Sequence, residues 1–412
     1  MYRRPSLVLL TLLLAGCGVP ATPEGQGDPL GAGAARTTVV ESPAARQPAT
    51  TPPNPNIPTA MPAPPLPGAF PALAAGQPYL YVVDYYRTMR VVDPRAATIV
   101  GELPVGAGAL PVFSPDGSRL YVTHGEKPGG GTGAQLDIFE VATGRRLAGV
   151  AGLELMAYKI WGPPIVAPAR AGRTIYLHGR RITSQPGEAG RDSCWLYTFD
   201  SGANRLAPET IPLPACQIAP LVLSADGGTL YSGPWLVDLT VQPAAVRENP
   251  DLAERAVAQS PDGRWLYALD RGGNVTVWDA DARRVVRTIS GAAPAYGSYA
   301  YLTQQTLHLD RAGTRLFIAT DEGNKHEHAF KAVVTLDAAT GQRLGTLRTE
   351  ASFRDFTISA DGLECYLLAQ YPRASDAPGM ALEVWDLATG TRRASVRGIG
   401  DSAGPVLAPN PP

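Results

Sequence analysis

Short apolar strands separated by polar turns recur along this chain in a fixed order. In each repeat a glycine is followed within a few residues by an apolar stretch that ends in Tyr or Phe. A second apolar strand then ends near an acidic residue, as in Leu136-Asp-Ile-Phe-Glu140. Successive glycines stand 36 to 55 residues apart. The seven copies begin at Gly76, Gly117, Gly172, Gly227, Gly263, Gly313 and Gly362.

The segment from Leu110 to Val150 contains one complete repeat. An apolar strand runs into Ser114-Pro-Asp-Gly117, where proline presets the first turn position and glycine accepts a positive φ. A second strand leaves this turn, and two further strands follow at Leu136-Asp-Ile-Phe139 and Arg145-Arg-Leu-Ala-Gly-Val150. Repeats of this size, built of strands and turns alone, are typical of β-propellers. We therefore predict an all-β fold, a seven-bladed β-propeller of four-stranded antiparallel blades spanning residues 75–412.

Two short motifs within the repeats resemble known propeller families. Tyr121-Val-Thr-His124 resembles the YVTN-type repeat, and Trp278-Asp279 and Trp385-Asp386 resemble the closing dipeptide of WD-type blades. The resemblance implies a propeller over residues 75 to 410 and is unspecific for activity. A closed ring needs an innermost strand for the first blade. Residues 404–410 match the stretch from Leu110 to Asp116 almost position by position, and residues 70–76 fit the same pattern less closely. We therefore predict that residues 404–410 provide this strand and close the ring, with residues 70–76 as the alternative.

The first sixteen residues have the pattern of a secretion signal. Arg3 and Arg4 precede a short apolar run from Leu7 to Leu14 that is too short to span a bilayer comfortably. The run ends in Leu14-Ala-Gly-Cys17, which resembles the bacterial lipoprotein signal box. This resemblance implies removal of residues 1–16 and lipidation of Cys17, with an ordinary signal peptide as the alternative. It also implies an extracytoplasmic protein, lipid-anchored to the outer membrane or to the outer face of the cytoplasmic membrane.

Residues 17–74 are crowded with Pro, Ala, Thr and Gly. Such a segment buries too little apolar surface to offset its ordering entropy, and proline keeps it extended. We predict a disordered tether that lifts the domain off the lipid surface.

Three cysteines follow Cys17 in the sequence. Cys194 begins the third strand of the third repeat, and Cys216 lies in the connection to the fourth. In a propeller the loop that precedes the third strand and the connection to the next repeat lie on the same face. Disulfides also persist in exported proteins. We therefore predict a bridge between Cys194 and Cys216, and a buried free thiol at Cys365.

The polar residues best suited to recognition concentrate where second strands give way to third strands. Loops on a rigid scaffold commonly carry function, so we predict a binding face at these connections. Its candidate residues are Tyr85, Tyr86, Arg87, His124, His178, Arg180, His326 and His328. His326 and His328 stand two residues apart, as metal ligands can, but this spacing is also ordinary in a solvated loop. We predict no metal site and no catalytic residue.

Charge and motifs narrow the function further. The formal net charge of −1 provides no field that favours nucleic acid, and the chain has neither a Walker-type phosphate loop nor a c-type haem motif. We therefore predict a monomeric, non-catalytic lipoprotein without a cofactor, whose propeller binds a protein, peptide or glycan. The alternative is a propeller enzyme with its site in the central funnel, either a lactonase-like hydrolase or a quinoprotein-type subunit. A third possibility is an assembly factor for outer-membrane proteins.

Overall fold

The computed structural model describes fourteen stretches of the chain: residues 79–84, 88–105, 107–114, 116–125, 132–155, 166–168, 173–183, 191–216, 221–252, 256–296, 306–321, 330–371, 379–400 and 403–407. Every described residue belongs to one compact unit, Pro52–Pro412. The predicted signal peptide, Cys17 and the predicted tether therefore lie outside the described residues. Within these stretches, no helix is long and apolar enough to cross a bilayer.

Strands and a single short 3₁₀ helix account for the regular structure of the described residues, which confirms the all-β prediction. The strands form six hydrogen-bonded sheets within the described ranges, and neighbouring strands are antiparallel. Sheet 1 contains β1 (Leu80–Asp84), β2 (Thr88–Asp93) and β3 (Thr98–Pro104). Sheet 2 contains β4 (Ala107–Phe113), β5 (Arg119–Gly125), β6 (Thr132–Glu140) and β7 (Arg146–Glu154). Sheet 3 contains β8 (Val166–Pro168), β9 (Thr174–Thr183), β10 (Arg191–Asp200), β11 (Arg205–Leu206) and β12 (Ile211–Leu213).

The second half of the chain continues this pattern. Sheet 4 contains β13 (Leu221–Leu223), β14 (Thr229–Ser232), β15 (Trp235–Asp238) and β16 (Ala245–Glu248), and the 3₁₀ helix Pro250–Leu252 follows it. Sheet 5 contains β17 (Ala256–Gln259), β18 (Trp265–Leu269), β19 (Val275–Asp279) and β20 (Arg284–Ile289). Sheet 6 contains β21 (Leu307–Leu309), β22 (Arg315–Thr320), β23 (Phe330–Asp337), β24 (Arg343–Ile358), β25 (Glu364–Gln370), β26 (Met380–Asp386) and β27 (Thr391–Arg397). The last strand, β28 (Ala403–Leu407), joins sheet 1.

Sheet 6 has seven strands because β24 belongs to two ladders. The first part of β24 pairs with β23, as in Leu347 opposite Val333, and the second part pairs with β25, as in Phe356 opposite Leu367. The sequence analysis expected two separate four-stranded units here. The unbroken strand instead joins them into one hydrogen-bonded sheet.

The C-terminal strand completes sheet 1. β28 pairs antiparallel with β1, with Tyr81 opposite Leu407 and Val82 opposite Val406. The sequence analysis proposed residues 404–410 for this position and kept residues 70–76 as the alternative, which lie outside the described residues. The strand that occupies the position is Ala403–Leu407.

The polar residues of the repeat form its first turn. In sheet 4, Ser224 Oγ accepts a hydrogen bond from the Thr229 amide at 2.8 Å, and Asp226 accepts one from the Gly228 amide at 2.9 Å. Gly227 adopts a φ of 74°, a backbone conformation that favours glycine. The hydrogen bonds from Ser224 and Gly228 lower the pKa of Asp226. The repeated serine and aspartate therefore close turns.

Apolar side chains pack between consecutive sheets. In β5, Leu120 and Val122 join the cluster shared with sheet 1, while Tyr121 joins the cluster shared with sheet 3. Alternate residues of one strand thus pack against the preceding sheet and the following sheet. Further clusters link sheets 3 and 4, 4 and 5, and 5 and 6. The last cluster packs β25–β27 against Leu80 and Val82 of sheet 1, so the sheets form a closed, propeller-like series.

Candidate functional site

The two ends of the sheets carry different connections. One end carries the serine and aspartate turns described above. The opposite end, which we name the recognition face, contains the ends of the second strands and the connections that follow them. These connections are residues 85–87, 126–131, 184–190, 233–234, 270–274, 321–329 and 371–379. Their unequal lengths make this end of the sheets the variable one.

Five of the eight candidate binding residues lie outside the described residues. Tyr85, Tyr86 and Arg87 belong to the connection 85–87, and His326 and His328 belong to the connection 321–329. Their roles stay predictions. The structure does describe His124, His178 and Arg180, and it places all three within strands, β5 and β9, where the sequence analysis placed them in or beside loops.

His124 is held by a buried carboxylate. Its Nε2 donates to Asp137 Oδ2 over 2.8 Å, and Arg146 Nε donates to Asp137 Oδ1 over 3.0 Å. The side chain of Asp137 is 3% exposed and that of Arg146 is 14% exposed. A Cβ at Gly149 would overlap the Arg146 guanidinium, so the glycine leaves room for this ion pair. His124 therefore belongs to a structural ion-pair cluster.

The same arrangement recurs in sheet 6. Glu383, whose side chain is 2% exposed, accepts hydrogen bonds from Arg392 Nη1 at 2.6 Å and from Trp385 Nε1 at 2.8 Å. The Tyr371 hydroxyl also donates to it, and burial together with this carboxylate raises the pKa of Tyr371. Glu383 and Asp137 both stand three residues before the acidic residue of their turns, Asp386 and Glu140. The two clusters thus occupy equivalent positions in their repeats.

Neither cluster was predicted from the sequence. A detectable signal exists: a carboxylate lies in an otherwise apolar third strand, and an arginine follows the turn acid by six residues in both repeats. Isolated charges are rarely buried without a partner, so the carboxylate itself predicts a paired arginine.

His178 is buried, and neither of its ring nitrogens has a hydrogen-bond partner among the described residues. Burial lowers the pKa of His178 to about 4, and the positive charge of Arg180 acts in the same direction. His178 pairs across the ladder with Leu196, which packs in the cluster between sheets 3 and 4. The imidazole is therefore neutral at pH 7 and faces sheet 4.

His124 and His178 do not converge. In β5, Val122 pairs with Asp137, and in β9, Leu177 pairs with Tyr197, at the equivalent position of the repeat. His178 therefore corresponds to Thr123, one residue before His124. Because side chains alternate along a strand, this offset turns His124 toward sheet 1 and His178 toward sheet 4. The two histidines thus stand one position apart in the repeat and face different neighbouring sheets.

We expect the free energy of unfolding to fall as the pH drops from 6.5 toward 4. His178 has a folded pKa of about 4 and an ordinary value of 6.5. In this window the unfolded chain binds a proton that the folded chain does not, so stability is lost as the pH falls. Urea unfolding at several pH values should give a steeper loss for the wild type than for His178→Gln. Equal slopes would contradict the assignment.

The predicted bridge between Cys194 and Cys216 is confirmed. The two cysteines are disulfide-bonded with their Cα atoms 5.3 Å apart. Cys194 lies in β10, opposite Arg180 of β9. The bridge therefore links β10, the neighbour of the strand that contains His178, to the segment that follows β12. Cys365 is a free, buried thiol, and burial raises its pKa well above the usual value.

Two further observations concern chemistry. Across the described ranges, no group of three or more His, Cys, Asp or Glu side chains is placed to hold a metal ion.

One sequence motif was not considered above: Gly400-Asp-Ser-Ala-Gly404 matches the Gly-x-Ser-x-Gly spacing of a nucleophile elbow. An elbow joins a strand to a helix, whereas this stretch joins β27 to β28, and Ser402 lies outside the described residues.

Comparison with known proteins gives only distant structural likenesses. No protein-family model and no curated protein matches the chain. A functionally unknown protein from Desulfotomaculum acetoxidans is similar at 12% identity and a TM-score of 0.56, over 81% of this chain and 99% of that one. The β-propeller domain of Cps50 (Swd1) from Myceliophteria thermophila is similar at 14% identity and a TM-score of 0.49, over 72% of this chain and 87% of that one. Kuenenia stuttgartiensis hydrazine synthase is similar at 15% identity and a TM-score of 0.49, over 81% of this chain and 96% of that one. At such identities any likeness concerns the fold alone. The order of the strands and the packing of successive sheets make the chain an all-β protein with a propeller-like fold.

Proposed function

We propose that this chain is a cell-envelope lipoprotein whose seven-bladed β-propeller binds a protein, peptide or glycan partner through the recognition face. In this proposal Cys17 carries the lipid and residues 17–74 form the tether. The blade number follows from counting β24 as the outermost strand of the sixth blade and the innermost strand of the seventh.

The observation that carries the proposal is the contrast between the two ends of the sheets. At one end, the repeated Ser and Asp side chains are engaged by backbone amides of their own turns. At the other end, the connections vary from residues 233–234 to residues 321–329. A uniform framework that holds unequal loops at one end is typical of binding scaffolds, because preorganised loops lose little entropy on binding.

The enzyme alternative has less support. Two histidines that act as one acid–base set must both reach the same substrate within hydrogen-bond distance. The Nε2 of His124 is engaged by Asp137, which is itself paired with Arg146. His178 faces a different sheet interface, so these two histidines do not form one acid–base set.

The test is site-specific photocrosslinking in the native envelope. A photoreactive residue at Arg271, exposed in the connection 270–274, should form a discrete adduct with the partner. The same residue at Arg311, exposed in a turn at the opposite end, is the matched control and should form none. Adducts at Arg311 but not at Arg271 would contradict the proposed face.

The same preparations test the anchor. The Cys17→Ser variant should move from the membrane fraction to the soluble fraction, because the lipid chains supply its membrane affinity. A Cys17→Ser variant that stays in the membrane fraction would refute the lipid anchor and leave the crosslinking result standing.

A further inference from the structure

A polar cavity of about 490 Å³ lies between sheets 2 and 3, at the end opposite the recognition face. It separates the turn between β4 and β5 from the turn between β10 and β11. Its walls are formed by Ser114, Asp116, Ser118, Arg119, Arg173, Ser201 and Gly202. Volumes in this range are typical of sites for small molecules.

Arg119 is a partly buried cation in this cavity without a carboxylate partner among the described residues. Its Nη1 donates to Ser201 Oγ at 3.1 Å, across the interface between the two sheets. Glu140 stands opposite Arg119 in the ladder but accepts a hydrogen bond from Thr143 and lies 3.6 Å from Arg145. Burial raises the pKa of the adjoining Tyr121, so this phenol stays neutral and leaves the charge of Arg119 unbalanced.

The repeat supplies an internal comparison. Arg315 occupies the position of Arg119 in β22, and it pairs with Asp310 at 3.0 Å and donates to the Asp361 carbonyl at 3.0 Å. In sheet 2 the position of Asp310 is taken by Ser114, a neutral residue. The same arginine thus has a direct ion-pair partner in sheet 6 and none among the described residues in sheet 2.

Asp116 is the one carboxylate among the described residues that line the cavity, and no ion pair joins it to Arg119 or Arg173. Asp116 accepts hydrogen bonds from Ser114 Oγ at 2.5 Å and from the Ser118 amide at 3.1 Å, which hold its carboxylate to its own turn. Arg173 adds a second cation whose side chain is 71% exposed, and its contact with Asp200 is long at 3.4 Å.

Ser201 is the third unusual feature of this interface. It follows the turn acid Asp200, where the corresponding residues of sheets 5 and 6 are the buried alanines Ala280 and Ala338. The backbone carbonyl oxygen of each alanine accepts a hydrogen bond from a tyrosine hydroxyl. At the interface between sheets 2 and 3, the Ser201 hydroxyl instead donates to the Arg173 carbonyl at 3.0 Å and accepts from Arg119, so it positions the Arg119 guanidinium at the cavity.

We propose that this cavity binds the anionic group of a small, hydroxyl-rich ligand, such as a sugar acid or a sugar phosphate. Arg119 and Arg173 provide planar guanidinium donors for the carboxylate or phosphate oxygens, and such charge-assisted hydrogen bonds are strong and directional. Asp116 can also accept a hydrogen bond from a ligand hydroxyl group, whereas the Ser114, Ser118 and Ser201 hydroxyls already donate within the protein. This site is separate from the recognition face, so it stands or falls independently of the proposed function.

Titration calorimetry of the purified full chain tests the site with four probes: inorganic phosphate, glucose 6-phosphate, glucuronate and glucose. We expect saturable binding of at least one anionic probe and none of glucose. Inorganic phosphate tests for a site that binds the anion alone. Tighter binding of glucose 6-phosphate or glucuronate than of phosphate would show that the site also contacts the sugar. The absence of saturable binding by every anionic probe, or equal binding of neutral glucose, overturns the proposal.

The variants assign the binding to the cavity. Arg119→Gln should weaken binding at least tenfold, whereas Arg264→Gln, which alters an exposed arginine at the same end of sheet 5, should leave it unchanged. Unchanged binding by a folded Arg119→Gln variant overturns the assignment. If that variant does not fold, Arg173→Gln decides the matter, because its exposed side chain is dispensable for folding and its loss should still weaken binding measurably.

Discussion

Replacing Arg146 by alanine should lower the free energy of unfolding by about 3–5 kcal/mol, the usual cost of removing one partner from a buried ion pair. The variant leaves the Asp137 carboxylate, whose side chain is 3% exposed, with His124 as its remaining side-chain partner. Desolvation of an unbalanced carboxylate is costly, and one imidazole does not replace a guanidinium that donates through two nitrogens. Equilibrium unfolding in urea measures the difference.

Arg145→Ala is the matched control for Arg146→Ala. Arg145 is the neighbouring residue, but its side chain is 66% exposed and lies 3.6 Å from a partly exposed Glu140. Surface pairs contribute about 0–1 kcal/mol, so this variant should remain near wild-type stability. Arg392→Ala should fall between the two, because Trp385 and Tyr371 still donate to Glu383. Similar losses for Arg145→Ala and Arg146→Ala would contradict the buried ion pair.

The double variant Cys194→Ala/Cys216→Ala should be less stable than the wild type by about 3 kcal/mol in the loop-closure model. The bridge closes a segment with a sequence separation of 22, and its loss gives the unfolded chain more conformational freedom. Thermal and urea unfolding measure the effect.

Reduction provides the control for the disulfide. Dithiothreitol should destabilise the wild type by a similar amount and leave the double variant unaffected. Cys365→Ala should retain the full sensitivity to reductant, because Cys365 is a buried free thiol that takes no part in the bridge. A wild type whose stability is insensitive to complete reduction would contradict the prediction.

The sequence predicts the repeated elements well because local chemistry determines them. Ser-Pro-Asp-Gly turns need particular φ values and side-chain acceptors, and residues such as Ser114, Asp116 and Gly117 provide them directly. The disulfide could be predicted for a related reason: the order of strands in a repeat fixes which connections share a face.

The candidate site was harder to predict, because it depends on register and on long-range pairing. His124 and His178 each lie in a second strand, a few residues after its tyrosine, but a shift of one position turns them toward different interfaces. Arg146 and Arg145 are neighbours in sequence, and only the structure shows that one is buried against Asp137. Likewise, the polar stretch within Arg343–Ile358 suggests a break, whereas the backbone continues as one strand through β24.

The pairing of β28 with β1 has a consequence for biosynthesis. The amides and carbonyls on one side of Leu80–Asp84 acquire their partners only when the ribosome has added Ala403–Leu407. Until then the nascent chain presents an open strand edge, the kind of surface that recruits other polypeptides into unwanted pairing. A premature stop codon just upstream of Ala403 would make that transient vulnerability permanent, although it would remove few side chains.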